Sequence, residues 1–241
     1  MAISAACLAA CNAATAASGM PRHAGRNPKL LLAASIDALC YECHERKDKL
    51  PEVHAALTTE GCLGCHVPHT GKTPRLLTAP SAAALCLNCH PRIEERPSVH
   101  PPVARHQCTA CHEPHGSNDE PLLRADNKKL CRTCHPKVGV VARRHQPLFR
   151  RGCESCHLAH GEGPGLLRRP VNALCQRCHA KYLDGAHVRA ARIHPIAGKP
   201  DPLHKGRDLS CVSCHDPHGG ANPRFLASPD PATSCAACHK S

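Results

Sequence analysis

Cys-x-x-Cys-His occurs nine times in this 241-residue chain, beginning at Cys40, Cys62, Cys86, Cys108, Cys131, Cys153, Cys175, Cys211 and Cys235. Residues three apart share one face of a helical turn, so both thiols of a motif can bond the two vinyl groups of one porphyrin. The histidine beside the second cysteine then reaches the iron from the same side. This is the attachment signature of c-type haem. The second thioether cysteines are Cys43, Cys65, Cys89, Cys111, Cys134, Cys156, Cys178, Cys214 and Cys238. The expected proximal iron ligands are His44, His66, His90, His112, His135, His157, His179, His215 and His239. Nine haem c groups follow.

Cysteine pairs at this spacing also build zinc sites, and 20 cysteines could form a disulfide framework. Neither chemistry needs a histidine after the second cysteine of every pair. With only 21 histidines in the chain, nine such placements select haem.

Each iron needs a sixth ligand. Methionine is poorly placed to serve, because Met1 and Met20 both precede every motif. Subtracting the proximal set leaves 12 histidines, which fall into registers. His69, His115, His160 and His218 lie three residues after a proximal histidine, and His23 sits in the equivalent place. So near its own proximal ligand, such a residue cannot reach the far face of that haem, so it is expected to ligate a neighbouring iron. His54, His100 and His145 lie eight residues before a motif, and Ile193-His194-Pro195 echoes Val99-His100-Pro101. His194 is therefore the expected fourth member of this class, with His187 and His204 in reserve. His106, His187 and His204 otherwise read as surface groups or propionate partners. Bis-histidine ligation throughout implies low-spin, low-potential irons with no open position.

The elements that hold these ligands are repeated. One phrase recurs as CLGCHVPHTGKTPRLL, CTACHEPHGSNDEPLL, CESCHLAHGEGPGLL and CVSCHDPHGGANPRFL. The motifs alternate between two series, one containing Cys62, Cys108 and Cys153 and the other Cys40, Cys86, Cys131 and Cys175, at steps of 44 to 46 residues. Four two-haem repeats are expected, at residues 54–99, 100–144, 145–186 and 187–239, after a half repeat at 22–53. His179 and Cys211 are 32 residues apart where the corresponding intervals are 18, so the last repeat carries an insertion.

With no Trp, two Tyr, two Phe, 23 Pro and 16 Gly, the chain lacks the material of an ordinary core. Nine apolar macrocycles supply it, so folding and cofactor attachment are expected to be inseparable. The expected fold is mainly irregular with short α-helices at the motifs, including Ser81 to Cys89 and Val171 to Cys178, and no significant sheet. The formal charge of +12 suggests nucleic acid. However, nine haems add up to about 18 propionate charges, the basic residues are scattered, and no aromatic ladder exists to stack bases. No nucleic-acid partner is expected.

Over residues 22–239, and most closely in CVSCHDPHGG, the chain resembles the doubled Cys-x-x-Cys-His family of multihaem cytochromes. It is also similar to the decahaem cytochromes of outer-membrane porin conduits and to the pentahaem donor of periplasmic nitrite reductase. The resemblance implies an elongated haem row built from two-haem repeats. It also implies redox partners: a quinol-oxidising membrane cytochrome as donor, and an outer-membrane porin or terminal reductase as recipient.

Haem attachment belongs to the outer side of the cytoplasmic membrane, so a periplasmic, outer-membrane-associated or extracellular address is expected. Residues 1–21 read as a truncated signal or lipoprotein segment, in which Leu8-Ala9-Ala10-Cys11 has the form of a lipobox and Cys11 would carry the lipid. The alternative is a cleaved signal with Cys7 and Cys11 unused. No later segment is apolar enough to span a membrane. The leading functional reading is electron transfer in anaerobic respiration, not catalysis. The rivals are a reductase of nitrite, hydroxylamine or a sulfur oxyanion, which needs an open iron, and a structural subunit of a haem filament or porin conduit.

Overall fold

The computed structural model describes residues 33–68, 73–90, 95–182 and 194–239. Its helices are short, and several start at a capping residue ahead of an Ala- or Leu-containing run. The Ser35 side chain accepts the Ala38 N–H and so starts α1, Ile36–Tyr41. Asp126 accepts the Lys128 and Lys129 N–H groups and starts a later helix, Asn127–Arg132. Each cap satisfies amide donors that a short helix leaves unpaired. Between these two lie α2 (Ala55–Glu60), α3 (Ala82–Leu87), α4 (Pro101–Ala104) and α5 (Cys108–Cys111). Asn127–Arg132 is α6, followed by α7 (Gln146–Arg150), α8 (Val171–Gln176) and α9 (Pro231–Ala236). Two of these, α3 and α8, fall inside the stretches expected to be helical.

The two motif series differ in local structure. Cys40, Cys86, Cys131, Cys175 and Cys235 sit near the ends of α1, α3, α6, α8 and α9. By contrast, Cys62, Cys153 and Cys211 open 3-10 turns at Cys62–Gly64, Cys153–Ser155 and Cys211–Ser213. Both series close in the same way, the motif histidine donating its N–H to the leading cysteine carbonyl, as His66 does to Cys62 at 3.0 Å and His179 to Cys175 at 3.0 Å.

Sheet structure among the described residues consists of antiparallel strand pairs two residues long. Their registers are Glu52↔Ser117 and Val53↔Gly116 for β1 (Glu52–Val53) with β3 (Gly116–Ser117). Ser98 faces Glu162 and Val99 faces Gly161 for β2 (Ser98–Val99) with β5 (Gly161–Glu162). Arg143 faces Gly220 and Arg144 faces Gly219 for β4 (Arg143–Arg144) with β6 (Gly219–Gly220). Glycine is required at these crossings. Gly161 and Gly219 have φ of +120° and +106°, and a Cβ on either would collide with the carbonyl of Ser98 or Arg143 on the facing strand.

The chain divides into two compact units. Met1–Cys86 with His112–Arg124 forms one and contains the β1–β3 pair; Leu87–Cys111 with Ala125–Ser241 forms the other and contains the remaining two pairs. Among the described residues the buried apolar side chains are Ala79 and Leu123. So small a core agrees with a fold whose apolar interior comes from the groups it carries. No helix of the described residues is long and apolar enough to cross a membrane.

Candidate haem sites

The proximal histidines of the first series are oriented by their own repeat phrase. His66 Nδ1 lies 2.9 Å from the Arg75 carbonyl, His112 Nδ1 3.0 Å from Pro121, His157 Nδ1 2.9 Å from Gly165 and His215 Nδ1 2.8 Å from Arg224. A carbonyl oxygen only accepts, so Nδ1 carries the proton and Nε2 keeps its lone pair for a metal. The turn that brings the carbonyl round uses left-handed residues: Leu76, Leu122, Leu166 and Phe225 have φ between +54° and +60°. The next residue, Leu77, Leu123, Leu167 or Leu226, bridges back to the histidine backbone. This accounts for the paired large apolar residues in every copy of the phrase. Their role shows only in the return of the chain on itself.

The strand pairs place the two distal registers side by side. β1 and β2 each end immediately before a distal histidine of the second class, while β3 and β5 begin immediately after one of the first. Accordingly, the His54 N–H donates to the His115 carbonyl at 3.1 Å, and the His100 N–H to His160 at 3.3 Å. In the third crossing His145 Nδ1 donates to the Pro217 carbonyl at 2.8 Å, next to His218.

Among the described residues five imidazole pairs result. Ring centroids lie 6.0 Å apart for His66 and His115, 6.2 Å for His100 and His135, 6.3 Å for His145 and His179, 6.1 Å for His157 and His218, and 6.3 Å for His194 and His239. Every pair joins one expected proximal to one expected distal ligand. Rings that merely pack spread over about 4.5–7 Å; these five span only 0.3 Å. An iron between two imidazoles needs about 2 Å to each nitrogen and roughly 1 Å more to each ring centre, which matches the gap. Among the described residues no three His, Cys, Asp or Glu side chains converge on a metal-sized site. Paired imidazoles beside two motif thiols are a donor set that would suit a covalently attached haem, so the residues fit that group. Burial, reinforced by neighbouring imidazoles, lowers the pKa of His100 and His157 and favours the neutral form that binds metal.

Carboxylates stand behind some distal ligands. His115 Nδ1 is 3.3 Å from Glu113 Oε1, and His218 Nδ1 is 3.5 Å from Asp216 Oδ1. Such a partner fixes the tautomer and raises ligand basicity. One buried donor among the described residues lacks an acceptor, Arg96 Nε; a propionate is a group that would satisfy it.

The insertion separates its histidines. His194 meets His239 edge-on, the ring planes 81° apart. His204 instead gives Nδ1 to Asp201 Oδ2 at 2.9 Å. Asp201 is buried and also accepts from Ser213 Oγ at 2.6 Å and the Leu203 N–H at 2.8 Å. Led by the Ser213 bond, these donors lower its pKa to about 2. His204 and His215 line a cavity of about 370 Å³ with Leu203 and Arg207. His106 sits at a left-handed turn, φ +54°, where its carbonyl accepts from Cys108 Sγ at 3.6 Å. Cys7, Cys11, His23, His69 and His187 lie outside the described residues.

Burial and the Asp37 carboxylate push the Cys62 thiol up to about 12. Cys131 is pushed up to about 11, mainly by burial. The mutual influence of Cys175 and Cys211 raises the first and lowers the second to about 7.

A family model described as the doubled CXXCH motif matches residues 21–49, 54–95, 100–139, 145–183 and 201–241. No curated protein matches the chain.

Proposed function

This chain belongs to the doubled CXXCH motif family of multihaem c-type cytochromes, and from that premise we propose that it carries electrons through nine covalently attached haems. When bound, each haem supplies a reversible one-electron iron couple. The polypeptide's work is to anchor, orient and space these groups. Leading and trailing cysteines anchor them, while the carbonyl-locked proximal histidines present Nε2. His115 serves the iron of His66, His100 that of His135, His145 that of His179, His218 that of His157, and His194 that of His239. His23, His54, His69 and His160 complete the distal set by register.

The observation that carries this reading is the recurrence of proximal–distal ring pairs at 6.0–6.3 Å. Opposed imidazoles give closed, low-spin irons suited to transfer, whereas reduction of nitrite, hydroxylamine or a sulfur oxyanion needs an open one. The setting we propose is anaerobic respiration in the periplasm or at the cell surface. There the chain would take electrons from a quinol-oxidising membrane cytochrome and pass them to a porin conduit or terminal reductase.

The test is the holoprotein from a host competent in cytochrome maturation. Intact mass and a pyridine haemochrome assay should give nine haems, and the oxidised EPR spectrum should be wholly low-spin. Far fewer haems would overturn the assignment. A native high-spin iron would favour the reductase.

A further inference from the structure

The sequence groups the haems by repeat, placing the Cys153 motif with the Cys175 motif in residues 145–186. Packing between elements divides them differently, setting Cys40 beside the Cys62 motif, Cys131 beside the Cys153 motif and Cys175 beside the Cys211 motif. In every case the last turn of a helix entering one motif lies against the 3-10 turn opening the next: α1 on Cys62–Gly64, α6 on Cys153–Ser155, α8 on Cys211–Ser213.

A polar clamp accompanies each contact. Asp37 Oδ1 accepts the Cys62 N–H at 2.9 Å. Asn172 Oδ1 accepts the Cys211 N–H, also at 2.9 Å. Asp37 and Asn172 occupy the same register, three residues before Cys40 and Cys175, in Asp-Ala-Leu-Cys and Asn-Ala-Leu-Cys. At the Cys131–Cys153 contact that position is Lys128, and the tie moves one residue back, Asn127 Nδ2 donating to Glu154 Oε2 at 2.9 Å. A short helix does not need its side chains to reach a motif more than 20 residues away. That all three do so shows that the junction itself is held.

We propose that the tightly coupled electronic unit is a haem pair offset by half a repeat from the sequence unit: the haems of Cys40 and Cys62, of Cys131 and Cys153, and of Cys175 and Cys211. This rests on the proposed haem attachment and adds the pairing to it. A thioether sulfur would be bonded to a substituent of the porphyrin edge, so motifs whose leading turns pack together would bring two edges near each other. Tunnelling falls exponentially with distance, and these contacts are therefore the fast steps. Within a sequence repeat, no helix among the described residues packs as extensively on the turn of the other motif. Asp37, Asn127 and Asn172 are positioning residues for the junctions.

The test is a double-mutant cycle on the full holoprotein. Attachment is removed at one motif by changing both cysteines to Ser, haem loss is counted by intact mass, and interhaem coupling is read from the Soret circular-dichroism couplet. Removing the Cys131 haem or the Cys153 haem should each abolish the same couplet contribution, so that removing both costs no more. Removing the Cys153 and Cys175 haems should be additive. The reverse pattern overturns the proposal.

Asn172→Ala keeps all haems and tests the clamp even where a motif deletion fails to fold. The Cys175–Cys211 contribution should fall, and Asn172→Asp, which retains the acceptor, should restore it. An unchanged couplet in Asn172→Ala overturns the clamp. A wild-type protein lacking nine haems defeats the functional reading instead, which mass alone reports.

Discussion

The carbonyl oxygen of His160 accepts the backbone N–H of His100 at 3.3 Å. His100 faces His135 across an iron-sized gap, while His160 belongs to the other distal register. One main-chain bond thus joins ligands of the two classes, and any shift of β2 against β5 is felt by both.

His115→Ala removes the ring opposite His66. It should leave the haem count unchanged and expose one iron, giving one high-spin ferric signal per molecule in EPR. Combining it with loss of attachment at Cys62 and Cys65 should erase that signal. Persistence of the signal in the combined variant would assign His115 to a different haem.

Gly161→Ala forces a Cβ into the Ser98 carbonyl at φ +120°. The cost should be about 1–3 kcal/mol, typical of a strained backbone site, measured by denaturant unfolding of the holoprotein. Hydrogen exchange at the His100 amide should accelerate. Gly165→Ala, at φ +68° with its Cβ only in ordinary contact with Leu167 Cγ at 3.9 Å, should cost about 1 kcal/mol. Equal losses at the two positions would remove the close-approach argument.

Glu113→Gln takes away the carboxylate behind His115, which it meets at 3.3 Å. A less basic ligand stabilises ferric iron less, so the potential of the His66 haem should rise. The pair is partly exposed, which limits the effect to a few tens of millivolts, below the ~59 mV of a tenfold change in a one-electron equilibrium. Spectroelectrochemical titration reads this directly, and a negative shift would contradict it.

Asp201 adds an acid limb to stability. Its folded pKa lies at about 2, below the ordinary carboxylate value. Its contribution is therefore fully present above about pH 4 and is lost as pH falls through 2. Asp201→Asn should flatten the pH dependence of thermal unfolding in that window and loosen the turn at Leu203 and His204. An unchanged acid limb in the variant would place the proton elsewhere.

Much of the site was legible because its chemistry is local. Both cysteines and the proximal histidine of a motif fall within one turn, so spacing alone names them. Helices at Ala82–Leu87 and Val171–Gln176 were readable from their Ala- and Leu-containing run-ins. The distal registers were readable from repetition, and the Ile-His-Pro context picked His194 over His204. Pairing was not legible. It depends on Glu52 meeting Ser117 and Arg143 meeting Gly220, and two-residue strands carry too little pattern to reveal a partner so distant. The clamps at Asp37 and Asn172 were missed for a related reason: an Asx three residues before a cysteine reads as ordinary helix composition until the following motif is seen against it.

The crossings at β1–β3, β2–β5 and β4–β6 each act as a stitch within their own unit. Each fastens a stretch of chain to another that emerges from synthesis much later, as Ser98 is fastened to Glu162. A protease that nicks the loop between them therefore severs the covalent thread without releasing either piece. Such a protein should keep its function after cleavage, losing it only when the stitches themselves are undone.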